Sequence, residues 1–146
     1  MMQKIAGKLS AGKAIAEELF QFVVWLTDKV EKFPKSHKFS IGDRIQTQSL
    51  ELLELVIEAT YTKDRAALLR RAQLRVEQMR FLFRLCDEVK LLNHTAYEHA
   101  ARSLDSIGRG IGGWLKAHHA QATRQPVRPD RDIPSAAGGG AQGDPR

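Results

Sequence analysis

The sequence predicts an all-α protein, an antiparallel up-down four-helix bundle. Apolar residues recur at spacings of three and four residues in four successive segments, each roughly 20 to 28 residues long, as in amphipathic helices. Only short polar loops separate these segments, and short loops place consecutive helices antiparallel. No segment shows the strict apolar–polar alternation of a half-buried strand, so no sheet is expected.

The first predicted helix carries one apolar stripe and is closed by a proline. The stripe consists of Ile15, Leu19, Phe22, Val23, Leu26, Val30 and Phe33. Pro34 disfavours helical geometry at the residue before it, so the helix is expected to stop there. Three more apolar residues, Phe20, Val24 and Trp25, lie off the stripe.

The second predicted helix opens at Ser40, because Asp43 three residues later completes a variant of the capping box. Its main stripe consists of Ile41, Ile45, Leu52, Val56 and Ala59, and an offset second stripe consists of Leu50, Leu53 and Ile57. The extra apolar surface on the first two helices indicates either a subunit interface or an unusually wide core-facing stripe, and the interface is favoured.

A turn at Thr62-Lys63-Asp64 leads into the third helix, which is expected to run to about Leu92. Its inward residues are Leu68, Ala72, Val76, Met79, Phe83 and Cys86. Cys86 is the only cysteine, so no internal disulfide can form, and it is expected to pack as a small apolar group.

The fourth helix opens either with a Thr95–Glu98 capping box or with Asn93 as N-cap. Its inward face consists of Ala96, Ala100, Leu104, Ile107, Ile111 and Trp114.

Composition divides the chain into three parts. Residues 1–12 are predicted to be a flexible lead, residues 13–119 the bundle, and residues 120–146 a disordered tail rich in proline and glycine. No signal peptide or apolar segment of membrane-spanning length is visible, which favours a cytoplasmic protein without a membrane partner.

Two glycine patterns match nucleotide-binding motifs by spelling only. The stretch from Gly7 to Ala14 lacks the Ser or Thr that a phosphate-binding loop needs after its lysine, and no strand precedes Gly108-x-Gly110-x-x-Gly113. Helical context instead predicts that Gly108, Gly112 and Trp114 serve helix packing. No nucleophile, acid–base pair or metal-ligand set is visible, so we expect a protein that is not an enzyme, with no cofactor and no metal.

Charge is the more informative feature. The 23 Lys and Arg exceed the 17 Asp and Glu, giving a formal net charge of +6 that favours an anionic partner. The predicted contacts with nucleic acid or a polymerase are Arg70, Arg71, Arg75, Arg80 and Arg84 on the third helix and Arg102, Arg109 and Lys116 on the fourth. Few aromatic residues lie among them, so RNA or DNA binding should depend on the phosphate backbone, with weak sequence specificity. In a monomer, a solvated face with local ion pairs is the favoured alternative.

Five segments, taken in order, resemble the accessory protein (Avd) of diversity-generating retroelements, a relative of the bacterial rRNA intervening-sequence proteins. They are Trp25-Leu26, Phe33-Pro34-Lys35, Phe39-Ser40-Ile41-Gly42-Asp43-Arg44, Arg80-Phe81-Leu82-Phe83-Arg84-Leu85 and the stretch from Ile107 to Lys116. The resemblance covers roughly residues 15–117. The order and spacing of the five segments together are more specific than any one segment alone.

The resemblance implies a non-catalytic homopentamer of four-helix bundles that binds nucleic acid and the reverse transcriptase of the element. That complex copies a template RNA with errors at adenines, and the cDNA diversifies a variable gene. Arg80 and Arg84 are the residues implied for contact. The alternative is a structural bundle of the rRNA intervening-sequence type with no polymerase partner. The net charge of +6 and the arginine-rich third helix favour the retroelement protein.

Overall fold

The computed structural model describes residues 10–124, which form the predicted antiparallel four-helix bundle. Its long helices are α1 (Ala11–Glu31), α2 (Asp43–Thr60), α3 (Ala66–Glu88) and α4 (His94–Arg124). Each helix packs against the next, and α4 closes the bundle against α1. Residues 10–124 contain no strand.

The helical region extends slightly beyond residues 13–119 at both ends. The Ser10 hydroxyl caps α1 by accepting a hydrogen bond from the Lys13 amide at 3.2 Å, so α1 begins at Ala11. The last helix continues past His119 to Arg124. Residues 1–9 and 125–146, which hold most of the predicted lead and tail, lie outside the described residues.

The core confirms the predicted apolar stripes of α1 and α4, whose members are all buried. In α2 the main stripe is buried except for Ile41, which is half-buried, and Leu55 and Ser49 are buried as well. In α3, Leu68 is half-buried and packs against the edge of the core, while Leu69 is fully buried. Of the offset α2 stripe, Leu50 and Ile57 are exposed, but Leu53 is half-buried and packs against the core, as does Trp25 of α1.

The predicted capping box of Ser40 and Asp43 does not form. Pro34 adopts an extended backbone, a helical turn follows at Lys35–His37, and a π-helical turn at Lys38–Gly42 runs directly into α2. The Asp43 amide therefore already donates to the Lys38 carbonyl. With its amides satisfied by backbone carbonyls, the start of α2 needs no side-chain cap, and the Ser40 hydroxyl bonds back to the His37 carbonyl at 3.4 Å.

The connection between α3 and α4 differs from the prediction in where α3 stops. This helix ends at Glu88, before Leu92, because Lys90 adopts a left-handed φ of 63°. The Leu91 amide then bonds to the Cys86 carbonyl at 2.8 Å, a helix-ending pattern that usually contains glycine. Of the two possible caps of α4, the structure selects Asn93, whose Oδ1 accepts a hydrogen bond from the Ala96 amide at 2.8 Å.

Candidate nucleic-acid and partner interface

The eight basic residues predicted to bind a partner fall into different environments in the bundle. Arg75 lies in the seam between α3 and α2, where Nη1 is 3.2 Å from Glu51 Oε1 and donates to Gln48 Oε1 at 2.8 Å. Its buried Nε has no hydrogen-bond partner among the described residues. Arg71 lies in the same seam and lines a shallow groove with Glu54. Arg75 is therefore committed to holding α2 against α3.

Arg80 lies in the seam on the other side of α3, facing α4. Its guanidinium binds the Asp105 carboxylate on α4 and, through Nε, the Glu77 carboxylate at 3.1 Å. The Arg80 hydrogen bond is the main cause that lowers the pKa of Asp105, and the Arg109 charge adds to it. The same bond to Asp105 raises the pKa of Arg80. Two carboxylates thus neutralise Arg80, one of the two residues that the family resemblance implies for contact.

Arg84 has a different environment, although it lies one helical turn after Arg80. It is exposed, and no carboxylate of the described residues lies within 4.0 Å of it. Arg84 lines a groove of about 260 Å³ between α3 and α4, whose walls include Phe81 and Tyr97 and also the ion-paired Glu77 and Arg80. A cation beside an apolar and aromatic groove is free to bind an incoming phosphate or carboxylate.

The outer ridge of α4 adds three exposed basic residues to this side of the bundle, as predicted from their spacing. Arg102 lies 3.9 Å from Glu98, a weak surface pair. Arg109 and Lys116 are exposed and have no carboxylate of the described residues within 4.0 Å. Arg70 on α3 is also exposed, and its Nη2 lies 3.5 Å from His119 Nε2 on α4. We call the set Arg70, Arg84, Arg102, Arg109 and Lys116 the α3–α4 basic face.

The predicted packing glycines do lie against α3, but they are not the tightest contacts. A Cβ added at Gly108 would lie 3.4 Å from the Arg80 side chain, and one at Gly112 would lie 3.4 Å from Gln73, both ordinary van der Waals distances. At Gly12, by contrast, an added Cβ would overlap the Thr60 hydroxyl and lie 2.5 Å from the Trp114 ring.

Trp114 is buried, as a packing residue should be, and the Arg65 guanidinium lies 5.2 Å from its ring centroid. Sequence reasoning missed Gly12, because its tight neighbours come from two distant helices.

Two stripes of exposed apolar residues lie on the outside of the bundle. The α1–α2 apolar face consists of Phe20, Val24, Leu50, Ile57 and Tyr61, and its grooves include the acidic Glu17. The α3 apolar face consists of Leu74, Phe81 and Leu85, with Phe81 67% exposed. The second face was not predicted, although its members recur at helical spacing along α3 and the signal was present in the sequence.

Two features that would indicate other functions, a metal-binding cluster and a membrane-spanning helix, are absent from residues 10–124. Residues 10–124 bring no three His, Cys, Asp or Glu side chains together in a way that could hold a metal ion. No helix in this range is both long enough and apolar enough to cross a membrane.

A family model described as bAvd-like matches residues 14–118, which contain the whole α3–α4 basic face. The chain belongs to the bAvd-like family. The members of this family are non-catalytic accessory proteins. No curated protein and no solved structure matches the chain.

The bAvd-like match confirms the family resemblance carried by the five sequence segments and agrees with the four-helix architecture. It also gives the α3–α4 basic face a context, because an accessory protein acts through surfaces that bind partners. Arg84, Arg109 and Lys116 are exposed cations with no carboxylate of the described residues within 4.0 Å, and Arg109 is close enough to Asp105 to help lower the pKa of that carboxyl.

Proposed function

We propose that this bAvd-like protein is the accessory subunit of a diversity-generating retroelement, which binds the reverse transcriptase of the element and its template RNA or cDNA. The observation that carries the proposal is the α3–α4 basic face, in which Arg84, Arg109 and Lys116 lie exposed without a carboxylate of the described residues within 4.0 Å. Membership of the bAvd-like family supports the accessory role.

Nucleic acid fits this face because guanidinium and ammonium groups bind phosphate oxygens by charge-assisted hydrogen bonds. Each phosphate that is neutralised releases condensed counterions, so the affinity falls steeply with salt. The face offers cations along two adjacent helices and few groups able to read base edges. Binding should therefore depend little on the base sequence, which suits an accessory protein that contacts a template RNA.

Self-association would strengthen this face. The groove of the α1–α2 apolar face includes both Lys13 and Glu17, whereas the α3 apolar face lies beside Arg70 and Arg84 of the basic face. The two apolar faces lie on different sides of one bundle, so contact between them would be head-to-tail, and a ring forms when the rotation between successive copies closes. A ring, pentameric as the family resemblance implies, would repeat the outer α4 cations Arg102, Arg109 and Lys116 around an axis and multiply their field.

The test is co-purification of the tagged protein with the reverse transcriptase of the proposed element, in the presence of template RNA. We expect the wild-type chain to retain the polymerase and Arg84→Glu or Arg109→Glu to lose most of it. Lys13→Glu makes the same charge change on α1, diagonal to α3, and it is the matched control once light scattering shows that it assembles like wild type, because Lys13 lines the groove of the α1–α2 apolar face. An oligomer that retains neither polymerase nor RNA would contradict the proposal and point to a purely structural bundle.

A further inference from the structure

The π-helical turn at Lys38–Gly42 presents an aromatic ring to solvent at one end of the bundle. Phe39 is 66% exposed, whereas Phe33, the other phenylalanine of this connection, is buried in the core. Phe39 belongs neither to the core cluster nor to the apolar residues packed against it. The Phe39 ring therefore adds nothing to the core, and folding does not explain why this large apolar side chain is exposed to solvent.

The backbone that carries Phe39 is firmly held. The His37 and Lys38 amides both bond to the Pro34 carbonyl, at 2.9 and 2.8 Å. Gly42 is buried at the end of the turn, and a Cβ there would lie 3.0 Å from Val30 Cγ1. π-Helical turns are rare and frequently occur at functional sites. The turn fixes the backbone from which the Phe39 ring projects, so only the side chain has to be ordered on binding.

The surroundings of the ring are basic. From Lys32 to Arg44 the chain has four Lys or Arg residues and one acid. Lys38 Nζ lies 5.8 Å from the Phe39 ring centroid and 3.1 Å from Glu31. Lys35 and Arg44 are exposed and have no carboxylate of the described residues within 4.0 Å. Exposed rings also occur at protein interfaces, but a single strand offers a partner for both features of this turn, phosphates for the cations and unpaired bases for the ring.

We propose that Phe39 is a stacking platform for one base of a single-stranded nucleic acid, with Lys35, Lys38 and Arg44 binding the flanking phosphates. Single-strand binding proteins combine these two features, and stacking tolerates any base because every base has a π face. The site deepens the proposed function and rests on it for the nature of the ligand. It lies apart from the α3–α4 basic face, so the two can be tested separately.

The test uses the full chain with oligo(dT) and oligo(rU) as single-stranded probes and a duplex of equal length. Phe39→Ala should weaken single-strand binding about 5- to 150-fold, the range for loss of one stacked base, and leave duplex binding unchanged. Phe39→Leu should behave like Phe39→Ala, since leucine is apolar but cannot stack. Both variants should unfold like wild type, because the side chain is mostly exposed.

A direct reporter is Phe39→Trp, whose added indole should be quenched by the single strand. Tyr61→Trp at the opposite end of the bundle, where the side chain is 75% exposed, is the matched control and should not be quenched. An unquenched indole, or equal losses for duplex and single strand, would overturn the platform. Loss of polymerase retention in Phe39→Ala with unchanged oligonucleotide affinity would overturn it in favour of a protein contact.

The two proposals fail in different ways. If Arg84→Glu retains the polymerase and binds RNA like wild type, the proposed function is wrong at the α3–α4 basic face. If instead only the Phe39 variants bind the single strand normally, the platform alone is wrong.

Discussion

The Arg80 guanidinium on α3 and the Asp105 carboxylate on α4 form an ion pair across the seam between the two helices. Arg80 also pairs with Glu77. Arg84, one helical turn later, has no such partner among the described residues, so the two arginines have different roles. Arg80 is neutralised and positions α4, whereas Arg84 keeps its charge available to a ligand.

Arg80→Ala should lower the free energy of unfolding by about 1 kcal/mol, the upper range for partly exposed ion pairs. Arg84→Ala should change it by no more than about 0.5 kcal/mol, because Arg84 has no such partner. Urea unfolding of the two variants beside wild type measures the difference. Equal effects of the two substitutions would mean that the ion pair with Asp105 does not stabilise the seam.

Gly12→Ala should destabilise the bundle by about 1 to 3 kcal/mol, because the new methyl group would overlap Thr60 and press on Trp114. Gly113→Ala is the control within a helix, since a Cβ there meets nothing within 4 Å. It should be neutral or stabilise by up to about 1 kcal/mol, the helix-propensity difference. Thermal unfolding compares the two variants, and a neutral Gly12→Ala would show that the contact relaxes without strain.

Burial raises the pKa of the Cys86 thiol from its ordinary 9.0 to about 11. The folded protein should therefore react slowly with a thiol reagent at pH 8, at a rate set by opening of the bundle. The folded state binds the thiol proton more tightly than the unfolded state, so this contribution to stability is full below pH 9.0 and is lost as the pH rises to about 11. Cys86→Ala should lack that loss, and rapid stoichiometric labelling of the native protein would contradict the burial.

Self-association through unlike faces makes a specific prediction. Ile57→Asp on the α1–α2 apolar face and Phe81→Asp on the α3 apolar face should each give monomers, as measured by light scattering after size exclusion. Mixed together, the two variants should form a 1:1 dimer, because each retains the face that the other has lost. Phe39→Asp is the control and should remain oligomeric. Monomers in the mixture would contradict the head-to-tail contact.

The apolar periodicity predicted the fold and most of the core, because burial on one face of a helix imposes that period on the sequence. Local backbone geometry was less predictable. The Ser40–Asp43 pattern fitted a capping box, but continuous helical backbone from Lys35 already satisfies the amides of α2. The end of α3 escaped prediction because Lys90 occupies a left-handed position that usually takes glycine.

The candidate site could be predicted as a set of residues but not divided by role. Arg75 and Arg80 resemble Arg84 in sequence, yet their partners Glu51 and Asp105 lie on other helices and come close only in the folded bundle. Ion pairing across helices is a tertiary property, so helical spacing alone cannot distinguish a structural arginine from a binding one.

The central claim is that the α3–α4 basic face binds nucleic acid through phosphate contacts. Its most direct test is the affinity for fluorescent template RNA as a function of salt concentration, for wild type, Arg84→Glu and the control Lys13→Glu. We predict that log affinity falls linearly with log salt in wild type and Lys13→Glu, and that Arg84→Glu binds more weakly with a shallower slope. Identical affinity and slope for Arg84→Glu and wild type would contradict the claim.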